Sequence, residues 1–188
     1  MMIHRRILLA TAAGTLAATA GPRKPLAGTL AAETLAPLSE GLDPVSPPQD
    51  PPDAVFLSQD GAEHHFSEFK GRGMVVNMWA TWCAPCVAEM PSLEALSKAL
   101  APHDIAVLPL SSDRGGAEVV QAWYQAHGIT GLPVLLDRKS AVARALNARG
   151  IPTTVIINTQ GKVVARLEGA ADWSAPDAQA LVRKLAGS

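Results

Sequence analysis

The chain has 188 residues and a formal net charge of −1, from 16 Lys+Arg against 17 Asp+Glu. An apolar fraction of 48% is enough for the core of one domain of moderate size, with sequence left over. The first twenty residues hold Arg5 and Arg6 and no acid, so the remainder is slightly acidic, and its surface gives no reason to expect a nucleic-acid partner.

The start, MMIHRRILLATAAGTLAATA, reads as a targeting segment over residues 1–20. Arg5 and Arg6 precede a mildly apolar stretch from Ile7 to Ala20, and Ala18-Thr19-Ala20 fits a small-x-small cleavage site. RRILL also resembles a twin-arginine signal, with His4 where Ser or Thr is usual. The stretch is short for a membrane span. A retained anchor and a buried first helix are the competing readings. Export predicts a periplasmic chain, and in that compartment a cysteine pair stays oxidised unless something reduces it.

Residues 21–52 read as a linker or N-terminal extension. Leu26 to Leu38 has the composition of a loose helix, whereas the proline cluster after Gly41 predicts an extended linker or entry arm. The folded domain is expected over 53–188. It opens with a small hairpin around Asp60-Gly61 and a helical turn at Ser67 to Phe69. Met74 to Trp79 predicts a buried strand. Cys86 to Leu100 predicts a helix with Leu93, Leu96 and Leu100 on one side. Strands then follow at 104–110, 133–136, 153–157 and 162–167, and helices at 115–127, 140–148 and 175–185. Helices between strands predict a mostly parallel central sheet covered on both faces, closed by an antiparallel hairpin.

Both cysteines, Cys83 and Cys86, lie in WATWCAPCVAEMP. Three readings compete: a structural staple, a metal grip and thiol–disulfide exchange. A disulfide across so short a loop removes little entropy from the unfolded chain, which disfavours the staple. Two thiolates suit Cu(I). A structural zinc site, however, needs four ligands, and a second CxxC is missing. His103 and His127 lack a matching context, and the adjacent His64 and His65 would point to opposite sides of a strand. Exchange chemistry needs one activated thiolate and one partner within reach. Cys83 falls where the strand gives way to the helix, and a helix N-terminus stabilises a thiolate, so Cys83 is the expected nucleophile. Cys86, one turn in, is the expected resolving cysteine. Pro85 between them stiffens the first turn at little cost, and Pro91 is expected to kink the helix.

WCAPC after an apolar strand, GIPTTVIIN some way downstream and the closing hairpin and helix resemble the thioredoxin superfamily. WCAPCVAEMP and the tail EGAADWSAP are similar to its TlpA/ResA-like branch of exported thiol-disulfide oxidoreductases. The resemblance implies an α/β thioredoxin-like fold: a central mixed sheet with helices on both faces, an N-terminal hairpin and a TlpA-type insertion. It also implies a cis peptide between Ile151 and Pro152 facing the cysteine pair, with the Ile151 backbone open to a substrate strand. Asn77 stands where thioredoxins usually carry a buried Asp, and it cannot trade protons. Glu89, three residues after Cys86, is the candidate to do so, with Glu168 and Asp172 as rivals. A carboxylate near the pair raises thiol pKa and argues for a reductant. Trp79 is expected in the core, and Trp82 either shields the nucleophile or offers a partner an apolar platform.

The implied partners are disulfide-containing clients, among them apocytochrome c or copper-centre assembly proteins, and a membrane electron donor of thiol-disulfide type. The protein is expected to be a monomer needing no cofactor and no metal. The rival functions are a Cu(I) metallochaperone, a thiol oxidant or isomerase, and a peroxiredoxin-like peroxidase.

Overall fold

The computed structural model describes residue 35 and residues 38–188; the expected signal at 1–20 and nearly all of the Leu26–Leu38 helix lie outside them. A four-residue helix, α1 (Leu38–Gly41), leads into β1 (Leu42–Gln49), β2 (Phe56–Ser58), β3 (Glu63–His64), a 3-10 turn (Phe66–Phe69) and β4 (Gly73–Trp79). Then come α2 (Ala84–Leu100), β5 (Ile105–Ser111), α3 (Ala117–His127), β6 (Leu135–Leu136) and α4 (Ala141–Ala145). The chain closes with β7 (Thr153–Ile157), β8 (Val163–Glu168) and α5 (Pro176–Ala186). The strands form one mixed sheet in the order β1-β8-β7-β4-β5-β6-β2-β3.

β4 sits centrally and every one of its residues is buried. Its alternation sorts the core. Val75 and Trp79 join the cluster that holds α2, α3 and α5, while Met74, Val76 and Met78 join the one that holds α4 and the 3-10 turn. Asn77 therefore points to the α2 side. The crossovers β4-α2-β5 and β5-α3-β6 step the same way along the sheet, so right-handedness puts both helices on one face. Trp79 stacks on Tyr124 of α3 at 5.8 Å, which pins that helix against the strand carrying the cysteine motif.

Two expectations need correction. The sheet is not mostly parallel: among the described residues only β4–β5 and β5–β6 pair that way, and the other five pairings are antiparallel. The reason is that the connection between β6 and β7, which carries the five-residue α4, does not cross back over the sheet. The chain enters β7 from the end where β6 finished, and β7 runs antiparallel to β4 with Met78 opposite Thr153. This brings the start of β7 beside the end of β4. The second correction concerns the linker. The sheet begins ahead of Asp53, because Leu42–Gln49 is an edge strand on β8, with Leu42 opposite Leu167 and a register shift between Pro44 and Gln49. Prolines forfeit ladder bonds, which an edge position and a bulge tolerate.

α5 docks tightly on the start of β4. A Cβ placed on Gly73 would lie 2.5 Å from the Ala186 carbonyl oxygen, so only glycine fits there without moving the helix. Gly73→Ala is expected to destabilise the domain by about 1–3 kcal/mol through this clash. Urea unfolding with an unchanged m-value would show it; a midpoint equal to that of the unsubstituted protein would refute it.

Candidate active site

β4 ends at Trp79, and the chain turns through Ala80, Thr81 and Trp82 before α2 starts at Ala84. Asp113, just past β5, fixes this turn. Its carboxylate accepts from the Thr81 N–H (2.9 Å), the Thr81 hydroxyl (2.7 Å) and the Ser111 hydroxyl (2.7 Å). Ser112 N–H donates to the Trp79 carbonyl at 3.0 Å. The parallel register sets Trp79 beside Ser111, which puts Asp113 within reach.

Cys83 is the N-cap of α2, and its sulfur accepts from the Cys86 N–H at 3.4 Å. That contact and the helix dipole both favour negative charge on this sulfur once the pair is reduced. Cys83 and Cys86 are joined as a disulfide with Cα atoms 5.3 Å apart. Cys83 keeps 7% of its surface exposed and Cys86 none, so an incoming group reaches Cys83 first. Pro85 occupies the first turn, where a missing N–H costs little. The Ile151–Pro152 peptide is cis, and the Ile151 carbonyl oxygen stands 3.7 Å from Cys83 Sγ. The antiparallel entry into β7 is what brings this pair opposite the sulfurs. Trp82 is 69% exposed, so it presents an apolar face to solvent beside Cys83, while Trp79 is buried.

Glu89 lies one turn beyond Cys86 on α2 and is fully buried. Three donors converge on it: Asn77 Nδ2 to Oε1 at 2.8 Å, and Ala171 N–H (3.1 Å) with Trp173 Nε1 (3.0 Å) to Oε2. Burial pushes its pKa up to about 7, and the three hydrogen bonds only partly oppose that rise. Asn77 also donates to the Thr154 hydroxyl at 2.9 Å, and its own Oδ1 has no partner among the described residues. A protonated Glu89 becomes a donor. Rotation of the Asn77 amide then supplies Oδ1 as its acceptor, with the Thr154 hydroxyl turning to match. Asn77 holds no proton to trade, yet it can serve either state of the acid.

Ser92, just past Pro91, donates to the Glu89 carbonyl at 2.8 Å and accepts from Trp173 N–H at 3.2 Å, so it fastens the same loop to α2. The helix runs on to Leu100 past that proline. Of the rival acids, Glu168 pairs with Arg149 at 2.8 Å and Asp172 caps Ser174, so neither shares this cluster. Ala171, Trp173, Asp113 and Thr154 are the members that sequence reading missed. Trp173 lay in the EGAADWSAP tail without an assigned role, and Asp113 carried no local signal. His64 and His65 face different carboxylates, Glu68 at 2.8 Å and Asp53 at 3.0 Å. Among the described residues no group of three metal-ligating side chains forms.

The Glu89 shift has a consequence for stability. Between about pH 4.5 and 7 the folded carboxyl keeps a proton that the unfolded one has released, so stability falls as pH rises through that window. The loss amounts to about 3 kcal/mol. Glu89→Gln should flatten the profile, since its amide can face Asn77 while its oxygen keeps Trp173 and Ala171. Urea unfolding of the oxidised domain at several pH values reads this directly, and an equally steep variant profile would contradict it.

The Redoxin family model matches residues 48–182. The chain is 32% identical over 112 residues to the thiol-disulfide oxidoreductase ResA of Geobacillus kaustophilus, covering 60% of this chain and 63% of that protein. It is 30% identical over 130 residues to ResA of Bacillus subtilis, covering 69% of this chain and 71% of that one. The chain thus spans a little under two thirds of the first relative's length. A thiol:disulfide interchange protein of the thioredoxin family from Chlorobium tepidum superposes with a TM-score of 0.62 at 25% identity, over 76% of this chain and 99% of that one. The exposed lipoprotein thioredoxin of Streptococcus pneumoniae does so with a TM-score of 0.59 at 26% identity, over 71% and 98%. With its CxxC disulfide on a mixed α/β sheet, the chain belongs to the Redoxin family of the thioredoxin superfamily, beside the ResA-like thiol-disulfide oxidoreductases.

Proposed function

We propose that this protein is an exported thiol-disulfide oxidoreductase that reduces disulfides in client proteins. The observation that carries the reading is the Cys83–Cys86 disulfide at the N-terminus of α2, with the more accessible sulfur facing Ile151–Pro152. In the reduced enzyme the Cys83 thiolate attacks one sulfur of the client disulfide. A mixed disulfide forms and the first client thiolate leaves. Cys86 then gives up its proton, and its thiolate attacks Cys83 Sγ. The second client thiolate departs, and the client has gained two electrons while the Cys83–Cys86 bond has formed. Two protons complete the client thiols.

Glu89 is the group proposed to take the Cys86 proton. A carboxyl with pKa near 7 is matched to proton transfer at neutral pH. Ionised, it also disfavours a second negative charge on Cys86, which weakens the oxidising tendency of the pair and supports the reductant direction. Cys83, Cys86 and Glu89 carry the chemistry in this reading. Pro152, Ile151, Asn77, Pro85 and Trp82 shape the site.

The basic, apolar start of the sequence supports export, and the description of the pneumococcal relative as an exposed lipoprotein agrees with it. The ResA and TlpA likeness supports clients such as apocytochrome c or copper-centre assembly proteins, with recharging by a membrane thiol-disulfide donor.

Three measurements test the reading. Cys83→Ser should abolish disulfide reduction, while Cys86→Ser should accumulate a mixed disulfide with a client; full activity in Cys83→Ser would overturn the order of attack. The reduction potential of the pair should fall below about −200 mV, and a value near −120 mV would point to an oxidant instead. Glu89→Gln should slow release of the mixed disulfide about 10²-fold and erase an inflection near neutral pH. A variant with the original pH profile would remove Glu89 from the proton path.

A further inference from the structure

The charged side chains are unevenly spread. Of the described cations, Arg72, Lys98, Arg149 and Lys162 sit in ion pairs with carboxylates. Arg114, Arg138, Lys139 and Arg144 form no ion pair among the described residues, and all four are exposed. These four line one groove of about 630 Å3, which has no acid in its lining and meets Trp82 and Ile151 at the redox-active end. On a chain of net charge −1, such a cluster is not the by-product of a basic surface.

The nearby carboxylates form no ion pair with these four side chains among the described residues. Asp113 is buried and occupied by Thr81 and Ser111, as described. Asp137 is buried too, and its two oxygens accept from the Ala141 (2.6 Å) and Ala143 (3.0 Å) N–H groups at the start of α4. Glu63 and Asp137 line the adjoining groove with Arg114, Arg138 and Lys139, and Asp113 lines another beside Trp82 and Arg114. Arg138 Nη2 donates to the Arg114 carbonyl at 3.0 Å, and Arg144 Nη1 donates to the Lys139 carbonyl at 2.5 Å. These bonds hold the guanidinium groups in place and leave their other N–H donors free for a ligand.

We propose that this groove docks an acidic segment of the client polypeptide, placing carboxylates on Arg114, Arg138, Lys139 and Arg144 while the neighbouring client disulfide meets Cys83. The inference rests on the exchange reading above and names the chemistry of its partner. A polypeptide is favoured over an anionic membrane because the groove opens onto Trp82 and Ile151. A lipid surface seated there would cover the approach to Cys83, whereas a client must use it. Opposite charge beside the reacting sulfur raises the encounter rate and weakens with salt.

The test uses the reduced full-length protein and two synthetic peptides with the same disulfide, one flanked by Asp and Glu, the other by Gln and Ser. At low salt the acidic peptide should be reduced about tenfold faster, and the advantage should shrink as ionic strength rises towards 0.5 M. The combined variant Arg114→Gln, Arg138→Gln, Lys139→Gln and Arg144→Gln should lose that preference. A control of equal kind elsewhere, Arg183→Gln with Lys184→Gln on α5, should keep it. Equal rates for both peptides, or a preference retained by the groove variant, would overturn the docking site while leaving disulfide exchange intact. Failure to reduce either peptide would overturn the exchange reading and the docking site together. Groove-dependent binding to anionic phosphatidylglycerol vesicles, with no peptide preference, would assign the groove to a membrane and overturn the proposal.

Discussion

A buried carboxylate is costly unless donors surround it, and the Glu89 site shows how the fold meets that demand. Asn77 reaches it from β4, and Ala171 and Trp173 reach it from the loop between β8 and α5. Two separate parts of the molecule therefore converge on one side chain of α2. The same cluster fixes the loop that leads into α5, and α5 in turn closes over the start of β4. The donors lower the cost of the charged form without cancelling it. The acid is left near neutrality, where a proton can move either way.

The second determinant is the direction of β7. The connection through α4 returns the chain to the end of the sheet at which β4 delivers the cysteines. A parallel β7 would have started at the far end, and the Ile151–Pro152 pair would then have lain a full strand away from the sulfurs. Thus the departure from a parallel sheet is the geometric condition for the site. Asp113 adds a smaller constraint, holding the turn before the motif through a residue that follows β5.

Much of this was legible in the sequence, and the remainder was hidden for identifiable reasons. Cys83 and Cys86 announce themselves because their chemistry depends on spacing along the chain. Pro152 is legible through the resemblance of GIPTTVIIN to a known family. The three-residue step from Cys86 to Glu89 suggested that the acid shares the pair's side of the helix. Its complete burial was not visible, because that depends on Trp173, 84 positions away. Asp113 acts across 32 positions through a strand register that only the fold creates. That residues 42–49, an extended entry arm in the sequence, also pair as a strand was hidden for another reason. Three prolines in eight positions argue against a central strand, and the same argument says nothing against a strand on an edge.

That proline-bearing edge has a consequence for how the sheet meets other chains. The eight-stranded sheet ends on one side in β1, interrupted by Pro44, Pro47 and Pro48, and on the other in β3, two residues long. Among the described residues neither border offers a long run of unpaired N–H and C=O groups on which another polypeptide could extend the sheet. A polypeptide arriving in an extended state thus finds no long edge on which to pair.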